Sequence, residues 1–209
     1  ESMTLAPHAA PMRAGAKFGQ LSLTDTMQFD GLTDAFEHVP MGESTDGYNA
    51  AFEITREQQD EFAAASHARL VRAQAEGTLD GEIVPFEAKA GRKTVTVAVD
   101  DGVRAETTVE SLAALRPAFT PEGSITAGNA SQITDGAAAV VLVSDAYATE
   151  HGITGLARVL ATGFVAGPNV SLHSQPADAI EQALGRAGRS TSDLQAVEIN
   201  EAFAAVGVA

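Results

Sequence analysis

The chain has 209 residues, of which 44% are apolar, enough to bury a sizeable core as one large domain or two small ones. Its formal charge of -15, with thirteen basic residues scattered along the chain, argues against nucleic acid and anionic membrane surfaces, which both demand clustered Lys and Arg. The absence of cysteine removes disulfides, thiolate metal sites and cysteine nucleophiles from these residues. His8, His38, His67, His151 and His173 are too dispersed to suggest a metal cluster. No apolar stretch approaches the length of a membrane span and no export signal stands at the start, so the expectation is a cytoplasmic protein that does not enter the membrane.

In chain order, residues 1 to about 130 are irregular, punctuated by Gly15, Gly19, Gly31, Gly42 and Gly47, in the manner of an insertion or lid. Thr55 with Gln58 three residues on has capping-box spacing and announces a helix; Phe62, Ala63, Leu70 and Ala73 share a face around Ser66, and Gly77 closes it. That apolar stripe reads as packing. Residues 82–86 and 93–99, the latter alternating Val95, Val97 and Val99, read as strands. Residues 108–115 make a short helix ended by Pro117.

From about residue 134 the rhythm becomes that of an α/β core. The run 136–143 is continuous and apolar, as in a strand covered on both faces. Ser144 caps a helix that ends near Gly152, 156–162 is a further strand, and Pro176 opens a helix with Ile180, Ala183, Leu184 and Ala187 on one face before Gly188. Ala196, Val197 and Ile199 read as a short buried strand and 201–208 as an apolar helix. No phosphate loop, nucleophile elbow or dinucleotide turn occurs.

Asn200 falls where that last strand gives way to the helix. Two readings stand there: a helix N-cap, for which Asn is well suited, or a ligand-handling group at the carboxyl end of a strand. Its company bears on the choice. The segment Gly123-Ser124-Ile125-Thr126-Ala127-Gly128-Asn129-Ala130-Ser131, then Asp135-Gly136-Ala137-Ala138-Ala139, and finally Asn200-Glu201-Ala202-Phe203 together resemble the thiolase family. Earlier segments agree in order: Glu1-Ser2-Met3-Thr4-Leu5-Ala6-Pro7-His8, Asp30-Gly31-Leu32-Thr33-Asp34-Ala35-Phe36, Pro40-Met41-Gly42 and Leu115-Arg116-Pro117-Ala118-Phe119. The resemblance runs from end to end, and the Ala6-Pro7-His8 segment is most similar to the acetoacetyl-CoA-forming type.

The resemblance implies an α/β chain with part of the layered α/β/α/β/α thiolase fold and an inserted α+β loop domain that lids the substrate. Residues 1–133 would be that loop domain, 134–154 the end of the first thiolase half and 155–209 the start of the second. Residues 8–27 would be a tetramerisation loop, where composition alone gives a surface loop. Thiolases join two acetyl-CoA into acetoacetyl-CoA and CoA, or run the reverse, through a nucleophilic Cys, a His and a second Cys. None of the three is found here, so the chain is expected to be an internal piece, inactive by itself.

What remains by resemblance is Asn200, which would hold the water of an oxyanion hole; a neutral amide suits that task because it donates and accepts without titrating. For acyl-CoA, with no other cofactor implied, Arg104 would lie near the nucleotide, against a solvated hairpin charge as its other reading. Ser111 and Ser131 would touch the pantetheine arm, against a helix-start residue and a loop hydroxyl. Leu32, Met41, Ala118, Phe119, Ala202 and Phe203 would line the tunnel, against plain core positions, and Ala127 and Gly128 would allow a close backbone approach. One departure from the family is Pro40, which stands where many biosynthetic thiolases have His before Met-Gly and provides neither a ring donor nor a backbone N–H. Other expectations compatible with the resemblance are a 3-ketoacyl-CoA thiolase of fatty-acid degradation, a non-catalytic CoA-binding protein and an assembly segment.

Overall fold

Local sequence sets the helices. In the computed structural model, which describes residues 1–13, 15 and 17–209, the longest is α2, Arg56–Ala75. Thr55 caps it: its hydroxyl accepts from the Gln58 N–H, and the Gln58 side chain accepts from the Thr55 N–H at 2.8 Å. At the other end Gly77, at φ +69°, donates to Gln74 while Thr78 donates to Ala73, a Schellman closure. Earlier in the chain, α1 is Met41–Asn49. The short α3, Val109–Ala113, repeats the capping box with Thr108 and Ser111, and α4, Asp145–Glu150, begins at Ser144, whose hydroxyl accepts from Tyr147. Pro176 sits in the first turn of α5, Gln175–Ala187, and Gly188 ends that helix in the left-handed region at φ +63°.

Among the described residues there are two strand pairs, both antiparallel. The strands β1, His8–Ala9, and β2, Thr24–Asp25, close the base of the loop 8–27; Ala14 and Ala16, which belong to the expected tetramerisation loop, lie outside the described residues. The second pair joins β3, Phe86–Ala90, to β4, Lys93–Val97, across the turn residues Gly91 and Arg92. The first strand thus starts where the sequence reading of 82–86 has it ending, because the tight turn at Gly91, φ +63°, pairs Ala90 with Lys93 and fixes the register backwards from there.

The three expected buried strands at 136–143, 156–162 and 196–199 are not strands in this structure. They belong to no hydrogen-bonded ladder among the described residues, and Val140, Val141 and Leu142 are 83%, 91% and 75% exposed. Apolar runs signal burial, but a strand exists only with a neighbour to bond, and the described residues place none beside them. The last helix is also shorter than expected: α6 is Ala204–Val208, with Phe203 at its N-cap position.

The chain divides into two compact units, Glu1–Ser44 with Ile133–Ile199, and Thr45–Gln132 with Asn200–Ala209. In the first, Asp135 accepts from the Thr4 N–H at 2.9 Å and the Ser2 hydroxyl at 3.2 Å, and the Ser44 hydroxyl donates to the Val170 carbonyl. The second holds the buried apolar side chains, among them Ile54, Ala63, Leu112, Ile125, Ala204 and Ala205. Its centre is the packing of Ala63 from α2, Leu112 from α3 and Ala204 from α6, with Phe62 and Ala64 against them. No helix among the described residues is long and apolar enough to cross a membrane.

Candidate active site

A cleft of about 520 Å³ opens in the second unit, a size that suits part of a small-molecule ligand. One wall is the face of α2 carrying Phe62, Ala63, Ser66 and His67; the opposite walls are residues 128–132 and the segment Asn200, Glu201, Ala202 and Ala204. Those two chain segments are laced together. Ser131 donates its N–H to the Ala202 carbonyl at 2.9 Å, Ala204 donates to the Asn129 carbonyl at 2.8 Å, and Ala130 bridges Phe203 antiparallel between them.

Asn200, Ala202, Gly128 and Ser131, four of the residues marked by sequence, line this one cleft. Asn200 is three residues ahead of the α6 N-cap position, so its side chain is not the cap of that helix. Its carbonyl accepts from the Ala202 N–H at 2.9 Å, which turns the backbone sharply before α6. Phe203 is buried behind the cleft and meets the Phe119 ring edge-on, centroids 6.0 Å apart at 84°. Ala118 donates to the Ile125 carbonyl at 2.8 Å, so the 117–119 segment is held beside the loop that precedes Gly128.

Gly128 is closely packed by its surroundings. A Cβ there would overlap Leu112 Cδ2 and stand 2.6 Å from Leu115 Cδ1, so a side chain at this close approach of the loop to α3 would require both leucine side chains to shift. Ala127 is exposed beside it. Ser111 is exposed as well, and its hydroxyl is engaged in the α3 capping box, donating to the Thr108 carbonyl at 2.8 Å and accepting its N–H at 3.0 Å. Arg104 is exposed; its backbone N–H donates to His67 Nδ1 at 3.2 Å. Leu32 and Met41 belong to the first unit, where the Met41 N–H donates to the Leu32 carbonyl at 2.9 Å and Pro40 pairs with Thr33.

Sequence reading passed over Ser66, His67, Asn129 and Glu201. The Ser66 hydroxyl donates to Glu201 Oε2 at 2.6 Å on the rim of the cleft. The signal for Ser66 lay in the sequence as a polar residue within the apolar stripe of α2. Among the described residues no group of three or more His, Asp or Glu could hold a metal ion.

Residues 1–146 match the family described as "Thiolase, N-terminal domain" and 153–209 match "Thiolase, C-terminal domain". The chain belongs to the thiolase family. It is 48% identical over 211 residues to the "Probable acetyl-CoA acetyltransferase" of Mycolicibacterium smegmatis, covering 100% of this chain and 54% of that protein. Among solved structures it resembles the Bacillus anthracis acetyl-CoA acetyltransferase with a TM-score of 0.91 at 39% identity, over 100% of this chain and 53% of that one. It also resembles the human mitochondrial 3-ketoacyl-CoA thiolase, TM-score 0.89 at 37% identity, over 100% and 52%. The fold is therefore a thiolase-like α/β fold, and the chain spans about half the length of the relatives it matches.

Proposed function

We propose that the protein carrying this chain performs acyl transfer between CoA thioesters, condensing two acetyl-CoA to acetoacetyl-CoA and CoA or running the reverse thiolysis. The observation that carries this reading is that Gly128, Ser131, Asn200 and Ala202 line one cleft together. In it the Asn200 amide holds a water that donates to the oxyanion or enolate as negative charge develops on the thioester oxygen, a neutral donor that needs no proton bookkeeping. The Ser131 hydroxyl meets an amide of the pantetheine arm, and Gly128 lets the loop backbone lie close to it. Ala118, Ala127, Phe119 and Phe203 border the arm, Ser111 the arm's outer part, and Arg104 the nucleotide phosphates. CoA enters as substrate and leaves as product, with no further cofactor.

The acyl-enzyme step needs a thiolate, and these 209 residues contain no cysteine. The nucleophile is thus supplied by a residue other than these, and the chain alone gives no turnover. The likeness to acetyl-CoA acetyltransferases supports the short-chain reaction. The exposed apolar side chains Phe18, Leu21 and Leu23 in the loop closed by β1 and β2 support assembly into a homotetramer.

The test is thiolysis of acetoacetyl-CoA, with a six-carbon 3-ketoacyl-CoA alongside, by the protein that carries this chain. Consumption of acetoacetyl-CoA with two acetyl-CoA formed is expected. Preference for the longer substrate would favour the degradative thiolase reading, and consumption of neither would overturn both.

A further inference from the structure

We propose that Asn129, clamped by Asp60, is a positioning residue for the acyl transfer: it holds the Asn200 segment in register with the wall of the cleft. The proposal rests on the role given to Asn200 above. Both side chains are buried, Asn129 at 3% and Asp60 at 1% exposure, and buried polar groups persist only when their hydrogen bonds are made.

Asn129 makes them on both sides. Its Oδ1 accepts from the Thr126 N–H at 2.7 Å, and its Nδ2 donates to Asp60 Oδ1 at 3.0 Å and to the Ser124 carbonyl at 3.1 Å. The other oxygen of Asp60 accepts from Arg56 Nε at 2.8 Å, and Arg56 Nη2 donates to the Leu112 and Leu115 carbonyls at 2.6 and 3.2 Å. Helix α2, the end of α3 and the loop 124–129 are thereby fixed to one another.

The main chain of the same residue then carries that fixed geometry into the cleft. The Asn129 carbonyl receives the Ala204 N–H, and two residues on the Ser131 N–H goes to the Ala202 carbonyl, while Ala202 itself donates to Asn200. Three successive bonds lead from the Asn129 loop to Asn200. A slip of the Asn129 loop shifts the backbone that carries Asn200, and displacements of about 1 Å at reacting groups cost on the order of 10² in rate.

The chemistry of the pair gives the test. In Asn129→Asp a second carboxylate faces Asp60 in a buried site, and in Asp60→Asn an amide N–H₂ faces either the Asn129 N–H₂ or the Arg56 N–H. In the exchanged pair Asp60→Asn with Asn129→Asp, the new amide donates to the carboxylate and accepts from Arg56, while the Ser124 carbonyl loses its donor and Arg56 its ion pair. In thiolysis by the protein that carries this chain, each single variant is expected to lose about 10²-fold in kcat with KM for CoA changed less than about twofold. The exchanged pair is expected to recover part of kcat relative to the single variants, and Asn129→Asp added to Asn200→Ala is expected to cost nothing further.

Unchanged kcat in folded Asn129→Asp, or a loss that adds in full to that of Asn200→Ala, would overturn the proposal, since a brace that only stabilises the fold does not couple to Asn200. Should Asn129→Asp fail to fold, Asp60→Asn decides: a loss in kcat that does not add to that of Asn200→Ala supports the proposal, and an unchanged kcat or a fully additive loss contradicts it. Normal turnover of Asn200→Ala removes the reading of Asn200 itself, and this proposal with it. Slow Asn200→Ala beside normal Asn129→Asp removes this proposal alone.

Discussion

At the scale of single residues, the side chains with the most to lose are buried polar ones whose partners are fixed. His173, 2% exposed, has Nδ1 3.0 Å from the Ser171 hydroxyl, and burial pushes its imidazole below the ordinary histidine value of 6.5. The unfolded chain takes up that proton at higher pH than the folded one, so the contribution of His173 is fully present above 6.5 and is lost as pH falls toward the folded value. Denaturant midpoints measured across this range should fall on acidification, and His173→Gln should flatten that part of the profile. Gly128 is constrained in a different way. Because a Cβ there would overlap Leu112, Gly128→Ala should destabilise the protein by about 1–3 kcal/mol in urea unfolding. An unchanged midpoint would mean that the loop moves away from α3 without loss.

At the scale of elements, the helix ends carry their own signals. Thr55→Ala removes the hydroxyl half of the α2 capping box and should cost about 0.5–2 kcal/mol, most of which Thr55→Ser should restore; urea titration of the two variants checks it. Glu57 and Glu110, in the first turns of α2 and α3, are held below the usual carboxylate range mainly by backbone hydrogen bonds and then by Thr55 and Thr108, so these caps weaken as pH falls through that range. Such features are written within a few residues, which is why Thr55, Thr108, Ser144, Gly77 and Gly188 could be read from sequence. The runs 136–143 and 156–162 could not. Their apolar content predicts burial, but they are exposed in this structure, and whether they form strands depends on a neighbour that their own sequence does not specify. Likewise Asn129 and Asp60 meet across 69 positions, and no local pattern announces that pair.

At the scale of the whole molecule, the second unit contains both the buried apolar core and the cleft, whereas the first exposes Val140, Val141, Leu156 and Phe164. Apolar surface of that extent drives association. The 209-residue chain prepared alone should therefore bind a hydrophobic dye and sediment as species larger than 21.5 kDa; a dye-silent monomer would contradict the exposure described here. The family was legible because separate segments agreed from Glu1 to Phe203, and within it Asn200 was marked as a candidate that the fold places on the cleft. The fit of Ser66, His67 and Glu201 into the same cleft required the fold. The central claim is that Asn200 serves the transition state of acyl transfer, and steady-state thiolysis by Asn200→Ala in the protein that carries this chain tests it most directly. A fall of about 10² to 10³ in kcat in a folded protein is predicted. Turnover equal to that of the parent would contradict the account.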